Sequence, residues 1–572
     1  MSFHFKTFVR NLMTAILFFG MVSEAVMAKA LIKANWREDL AFLTETVKAV
    51  HPNPFHRVPE AVFDSARQVL EQDIDRLNDR MIAVRMAALV ALISDGHTSL
   101  RIKSGVLTSD QWFPLHIEQF VEGLFVVGTD QPNQAVLGAQ VIRVGNQPAE
   151  VAWERAESLI GGDNLFFKMG VAPLLMAMPE ALEALGLTTD NRLTLTVKLA
   201  NGQTKTVQVS PVNLSSGRNW FFGEAGANET RATLPDFPER NLDLACQHRL
   251  DGYWYTLDKA TGRLYAQINM VLNTDKPVFL NGERRSVSLS GFADELFRQV
   301  DTGDVRKLIL DLRYNGGGNN RLAVPIVDGI VARSAINQKD RLFVITGRQT
   351  YSAAMNLTSL LEGRTNATFA GEPPGGSPHH YGDATPFLLP HSRLLLYVST
   401  LHWDLGVQPS DVREAMEPDI PVAPSFEAFK SGKDPVLGAI EGFEQNTVLA
   451  DRMMTVYKTE GIEAALKVFL SRKSAAPTSP WDSSAQQLIS FGYRIITSGG
   501  NGADIFRAFR FGTEQYPHVP ETWYETGRVL AFPERWEDAE KAFAKALELR
   551  PASAMIRRMH AAAIQKKGSG RQ

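Results

Sequence analysis

Apolar residues recur at steps of three and four from Trp36 to Ile93, and the spacing predicts helices over "WREDLAFLTETVKAVH", "EAVFDSARQVLEQDIDRL" and the more uniformly apolar "RMIAVRMAALVALI". The period changes at "SDGHTSLRI", where Asp95-Gly96 has turn chemistry and "HTSLRI" alternates as a strand does. Alternation continues from about 105 to 210 in "FPLHIEQF", "GLFVVGT", "AQVIRVGN" and "RLTLTVKLANGQTKTVQVS". The last of these is broken by Asn201-Gly202, a hairpin turn, and a helical pattern runs from Ala149 to Leu187. Residues 211–260 have no clear period. From Arg263 strands alternate with helices: "LYAQIN", "SGFADELFRQV", "RKLILDL", "RLAVPIVDGIVA", "RLFVITG", "AAMNLTSLLEG", "ATFAG" and "RLLLYVST". That alternation predicts a mainly parallel sheet. Beyond "PDIPVAPSFEAFKSGKDP" only helical periodicity remains.

The pattern divides the chain into an N-terminal helical cap (31–104), a β-rich module (105–210), an α/β core (211–430) and an all-α region (431–572). The segment "GAQVIRVGNQP" resembles a PDZ-like module, a fold that binds peptide ends by strand addition. Trp523, Gly527, Ala539, Phe543, Ala546 and Pro551 fall at spacings that resemble a tetratricopeptide unit, after a fainter helix "EGIEAALKVFLSRK". The resemblance implies a packing surface or a protein partner for these helices.

Composition sharpens this picture only in places. A chain of 572 residues, 44% hydrophobic and 22% charged, is globular and long enough for roughly three or four domains. A net charge of -3 without a dense Lys/Arg block gives no reason to expect nucleic acid or an anionic membrane as partner. Residues 1–30 carry Lys6 and Arg10, an apolar run from Leu12 to Val22, and small residues at Val26, Ala28 and Ala30. That is the layout of a cleaved secretory signal, and the run falls short of the ~20 apolar residues a spanning helix needs. With Cys246 alone there is no intramolecular disulfide, so a bacterial periplasm or exterior is the expected location, with no integral membrane segment after cleavage. No HExxH pair, Cys/His cluster or P-loop is present, so neither metal nor organic cofactor is expected.

Two strand ends carry candidate chemistry, as expected at the carboxyl ends of strands in an open α/β sheet. After "KLILDL", Gly316, Gly317 and Gly318 allow close backbone approach to a ligand and can leave amides free to donate. After "RLFVITG", Ser352 stands where a helix begins, so first-turn amides such as that of Ala353 lack partners within the helix. Those amides and the helix dipole can stabilise an oxyanion. A serine at a helix start is also a favoured N-cap, and the position alone does not separate the two roles.

Taken together, "LILDLRYNGGG", "YSAAMN" and "GRTNATFAGEPPGGS" resemble the core of the C-terminal-processing and tricorn peptidase superfamily, which includes interphotoreceptor retinoid-binding protein. The resemblance covers roughly residues 36–425 and is most specific from Leu308 to Ser377. It implies that Ser352 is the nucleophile. The processing peptidases use a lysine where this chain has Ser377, which excludes a Ser-Lys dyad at that position. The tricorn-like branch takes a histidine from a motif similar to "DGHT", here Asp95, Gly96, His97 and Thr98, which implies His97 as general base. An imidazole with an ordinary pKa of about 6.5 suits that task at neutral pH. An acid should fix its tautomer. The branch places one before a "PD" pair, which implies Asp411 and then Glu414 in "DVREAMEPDI", with Glu372 of the "GEP" turn as the alternative and Asp95 read as the turn former before Gly96.

The expected activity is peptide-bond hydrolysis through an acyl-enzyme, with the amides of Gly317 and Ala353 as oxyanion donors and a peptide or protein as substrate. Two alternatives stay open: a catalytically silent protein of the same fold that binds a peptide or apolar ligand, and a non-peptidase acyl hydrolase. The GxSxG elbow of the α/β-hydrolases is absent, the serine being flanked as "TYSAA".

Overall fold

Three helices, Lys33–Val50, Glu60–Asp73 and Asp79–Ala91, turn their apolar faces inward, burying Trp36, Leu40, Phe63, Ile82 and Met86. The third starts at Asn78, whose side chain accepts the Met81 N–H and satisfies one of the amides a helix leaves unpaired at its start. The computed structural model describes residues 31–189, 191–214, 231–233, 244–405, 413–443, 449–474, 485–550 and 554–569, and the predicted signal segment lies outside them.

The third helix delivers the chain into the Asp95–Thr98 turn and the short strand Ser99–Arg101. This strand pairs antiparallel with Leu395–Val398, setting Ser99 opposite Tyr397 and Arg101 opposite Leu395. The cap is thereby stitched to a segment far along the chain. The β-rich module is an antiparallel sheet built from Leu115–Phe120, Gly123–Asp130, Gln140–Val144, Leu193–Lys198 and Thr204–Val209. Its last two strands are joined across the predicted Asn201-Gly202 turn, with Lys198 opposite Thr204 and Gly202 at φ +83°. Apolar side chains of the cap, the module and Leu389–Val398 form one continuous core that includes Trp36, Phe63, Phe113 and Trp153. Each fully buried side chain of this size contributes roughly 1.5–3 kcal/mol, so the cap is held as part of the body.

The α/β core is an eight-stranded sheet. Arg263–Ile268, Lys307–Asp311, Leu342–Thr346, Thr368–Gly371 and Ile420–Pro421 run parallel in that order. Tyr253–Asp258, from the stretch without a clear period, joins antiparallel to Arg263–Ile268. Three aromatic neighbours, Tyr253, Trp254 and Tyr255, are buried there on both faces of the sheet, which leaves no polar alternation to read. Helices Leu289–Asp301, Val324–Val331 and Ala353–Arg364 share an apolar cluster with one face. Val436, Leu437 and Ile440, from the helix Pro435–Glu441, cover the other.

The described residues from Leu449 to Ser569 form helices, the last being Ala554–Ser569. Pro520–Ala531 and Trp536–Leu549 form a tight hairpin, in which a Cβ on Gly527 would meet the Phe543 ring at 2.7 Å. The helical region also touches the cap: Arg558 donates to the carbonyl of Ala91 at 3.5 Å. Among the described residues no helix is long and apolar enough to cross a membrane.

Candidate active site

The strand Leu342–Thr346 is buried along its whole length and ends in a turn whose last residue, Ser352, has φ +57° and ψ -126°. A side chain with a Cβ is rarely held there, because the Cβ crowds the backbone, and such strain persists only where the surroundings impose it. They do so here. The helix Ala353–Arg364 fixes the following residues, and Tyr351 N–H donates to the carbonyl of Asn315 at 3.0 Å. The Ser352 side chain makes no capping hydrogen bond to its helix. Its Oγ instead lies 2.9 Å from Nε2 of His97. The capping role that the sequence left open is thus not the one the hydroxyl takes.

With Nε2 accepting the serine proton, Nδ1 of His97 carries hydrogen and donates to the Tyr351 hydroxyl oxygen at 2.6 Å. The nearest carboxylate is Asp95, its Oδ1 3.9 Å from Nδ1 and 2.9 Å from the His97 backbone nitrogen. Oδ2 of Asp95 accepts from Thr98 Oγ1 at 2.5 Å, Ser399 Oγ at 2.6 Å and His51 Nε2 at 3.1 Å. Burial pushes the Asp95 carboxyl upward, but the hydrogen bond from His51, the charge of His97 and the two hydroxyls outweigh it and hold the group down at about 2. Asp95 is therefore a buried anion at neutral pH. Burial lowers the His97 pKa from its ordinary value, with Asp95, the Tyr381 backbone and Asp383 opposing the shift. Burial raises that of the Tyr351 phenol well above the usual range, so it stays protonated.

The glycine loop packs directly against the serine. A Cβ on Gly317, at φ +107°, would lie 2.6 Å from Ser352 Cβ and 2.9 Å from the Tyr351 carbonyl oxygen. A Cβ on Gly96 would lie 2.4 Å from the Tyr351 hydroxyl. The loop is tied to the sheet by Val271 N–H donating to Gly317 O at 2.8 Å and Asn319 N–H donating to Val271 O at 2.7 Å. One expected oxyanion donor needs correction: the Gly317 N–H already donates to Asn315 Oδ1 at 2.9 Å, because the asparagine side chain folds back over the turn. Among the described residues nothing accepts from the Ala353 N–H, which lies 3.0 Å from the place of that Gly317 Cβ.

Two of the acids expected to orient His97, Glu414 and Glu372, are not brought to it. The third, Asp411, lies outside the described residues. Glu414 is buried against Arg57, Arg528 and Tyr524, accepting from the Tyr524 hydroxyl at 2.8 Å. It joins the cap to the helical region, and two guanidiniums decide its place. Glu372 accepts from Arg348 Nε at 2.9 Å, and burial raises its pKa. Ser377, at the position of the lysine in the processing peptidases, is buried and donates to the Glu414 carbonyl. Asp95, read as a turn former, and Tyr351, not singled out at all, are the groups that face Nδ1. Their one signal in sequence is adjacency: each stands within two residues of a reacting group.

Ser352 and His97 open into a cleft of about 1340 Å³. Its lining combines the apolar Phe167, Val171, Leu174 and Met178 with Arg249, Arg321 and the glycine loop.

No family model and no curated protein matches the sequence. Solved structures do match the fold. Mature CPAF in complex with lactacystin superposes at a TM-score of 0.50 with 12% identity, covering 72% of this chain and 98% of that one. A serine-to-alanine mutant of CPAF gives 0.50 and 12%, covering 73% and 100%. The photosystem II D1 C-terminal processing protease aligns more loosely, at 0.30 and 13% over 70% and 98%. At these identities the likeness shows the architecture alone: nearly three quarters of this chain is folded as CPAF is.

Proposed function

We propose that the chain is an exported serine peptidase of the tricorn-like branch of the C-terminal-processing peptidase superfamily, with Ser352 as nucleophile and His97 as general base. The observation that carries the reading is the 2.9 Å contact between Ser352 Oγ and His97 Nε2 on a strained turn at a helix start. His97 takes the hydroxyl proton as Oγ attacks the scissile carbonyl carbon. The resulting oxyanion is stabilised by the Ala353 amide and the positive end of the helix Ala353–Arg364. The proton on Nε2 passes to the leaving amine as the C–N bond breaks, leaving an ester on Ser352. Water then gives a proton to Nε2 and attacks the ester. As the C–Oγ bond breaks, Nε2 returns that proton to Ser352 Oγ and the acid is released. Throughout, the Tyr351 oxygen holds the Nδ1 proton in place and the Asp95 anion stabilises the imidazolium. No residue of this scheme calls for a metal or organic cofactor. The substrate is a peptide or protein segment lying in the cleft.

Treatment of the mature protein with a fluorophosphonate tests the reading. Covalent labelling at neutral pH that maps to Ser352 is the expected result. Absence of labelling from pH 6 to 9 would overturn it in favour of a silent binding protein.

A further inference from the structure

We propose that His51 is a positioning residue for the Ser352–His97 pair: a neutral imidazole, locked in one tautomer, that fixes the Asp95 carboxylate behind the base. The inference rests on the hydrolase reading above and extends it to a residue outside the Asp95–Thr98 turn.

His51 ends the helix Lys33–Val50, its backbone N–H donating to Val47 O. Its side chain and that of Asp95 are both 0% exposed. Nδ1 of the ring accepts the Asn53 backbone N–H at 3.0 Å. A nitrogen that accepts cannot carry hydrogen, so the ring proton sits on Nε2 and donates to Asp95 Oδ2 at 3.1 Å. The segment that supplies the locking amide is stiff, because the sequence is His51-Pro52-Asn53-Pro54. Each proline fixes its own φ and keeps the residue before it extended, and His51 itself is at φ -68° and ψ 130°.

The three donors to Oδ2 are not equivalent. Thr98 and Ser399 give hydroxyl protons, which rotate to follow wherever the oxygen goes. The imidazole N–H has one direction. His51 therefore defines where Oδ2 sits, and since the carboxylate is rigid, it also sets Oδ1, which binds the His97 N–H and faces Nδ1. Two other roles fail on geometry. Both ring nitrogens of His51 are engaged, which leaves none for a metal, and the ring packs against His56 and Tyr381 rather than lining the cleft.

The test compares fluorophosphonate labelling rates and thermal midpoints of wild type, His51→Phe and His51→Gln. Phenylalanine keeps the ring shape without a donor, and glutamine places an amide nitrogen near the position of Nε2. A folded His51→Phe protein is expected to label at least about tenfold more slowly, the scale seen when a partner behind a metal-bound histidine is lost. His51→Gln is expected to recover to within about threefold of wild type. Labelling of folded His51→Phe at the wild-type rate, or a glutamine variant as slow as the phenylalanine one, would overturn the proposal. Should His51→Phe not fold, ¹⁵N imidazole spectra of the wild type decide: hydrogen on Nε2 of His51 across pH 6–8 supports it, hydrogen on Nδ1 overturns it. Wild type that does not label at all is a separate outcome that defeats the hydrolase reading and this proposal with it.

Discussion

The two halves of the candidate site are built by different means. Ser352 is placed by backbone: a buried strand, a residue forced to φ +57°, a helix that starts at once and a glycine loop in contact with it. Nearly all of this comes from one α/β stretch between Lys307 and Arg364. His97 is placed by side chains from four separate segments. Asp95 holds its backbone, His51 and Ser399 hold Asp95, and Tyr351 meets Nδ1. A nucleophile whose position is a backbone conformation tolerates little change in main-chain space. A base held by a hydrogen-bond relay responds instead to the loss of single polar atoms.

Losing the reacting atoms sets the upper limit for both halves. Ser352→Ala should abolish fluorophosphonate labelling, and His97→Ala should slow it roughly 10⁴- to 10⁶-fold. Equal rates for wild type and His97→Ala would detach the histidine half from the chemistry. Gly317→Ala attacks the backbone half, since its Cβ has no room beside Ser352 and Tyr351. A shift of about 1 Å there should cost roughly 100-fold in labelling, and φ +107° adds strain of roughly 1–3 kcal/mol, visible as a lower thermal midpoint.

Tyr351→Phe removes one oxygen from the histidine half, and a loss of roughly tenfold is expected, as for one well-placed hydrogen bond to a charged group. The pH profile supplies the sign. On the proposed mechanism His97 acts as the neutral base, so labelling should rise with pH through its folded pKa, and burial puts that midpoint below the ordinary 6.5. Without the Tyr351 oxygen the imidazolium loses a partner, and the midpoint should move lower still. A midpoint above that of wild type would show that the hydroxyl does not accept from Nδ1. The smallest effect is expected from Glu372→Gln, with labelling within about threefold of wild type, because Arg348 and not His97 is its partner.

Much of the backbone half was legible in the sequence. The strand-to-helix switch at Ser352 and the Gly316–Gly318 loop follow from local periodicity and composition, which are short-range properties. Four strands of the parallel sheet were legible for the same reason. The segment "RLLLYVST" is not one of its strands, because Leu395–Val398 pairs antiparallel with Ser99–Arg101 instead. Tyr253–Asp258 escaped because both of its faces are apolar. The histidine half was legible only as the motif Asp95–Thr98. Which acid serves it was not, since burial decides between carboxylates and burial depends on the whole fold. Glu414 stands before a Pro-Asp pair, yet Arg57 and Arg528 claim it. Asp95 looked like a turn former and is in fact also a buried anion with four donors.

The pairing of Ser99–Arg101 with Leu395–Val398, and the Ser399 hydroxyl on Asp95, also set an order of events during synthesis. Asp95 and Ser399 are 304 residues apart, so at 5–20 residues per second the ribosome needs roughly 15–60 s to travel from one to the other. Ser352 is made well before that interval closes, but the strand and hydroxyl that fix its base are not. A chain interrupted between residues 352 and 395 carries the serine without a settled histidine. On the mechanism proposed above, such a truncated product holds the nucleophile without a positioned base.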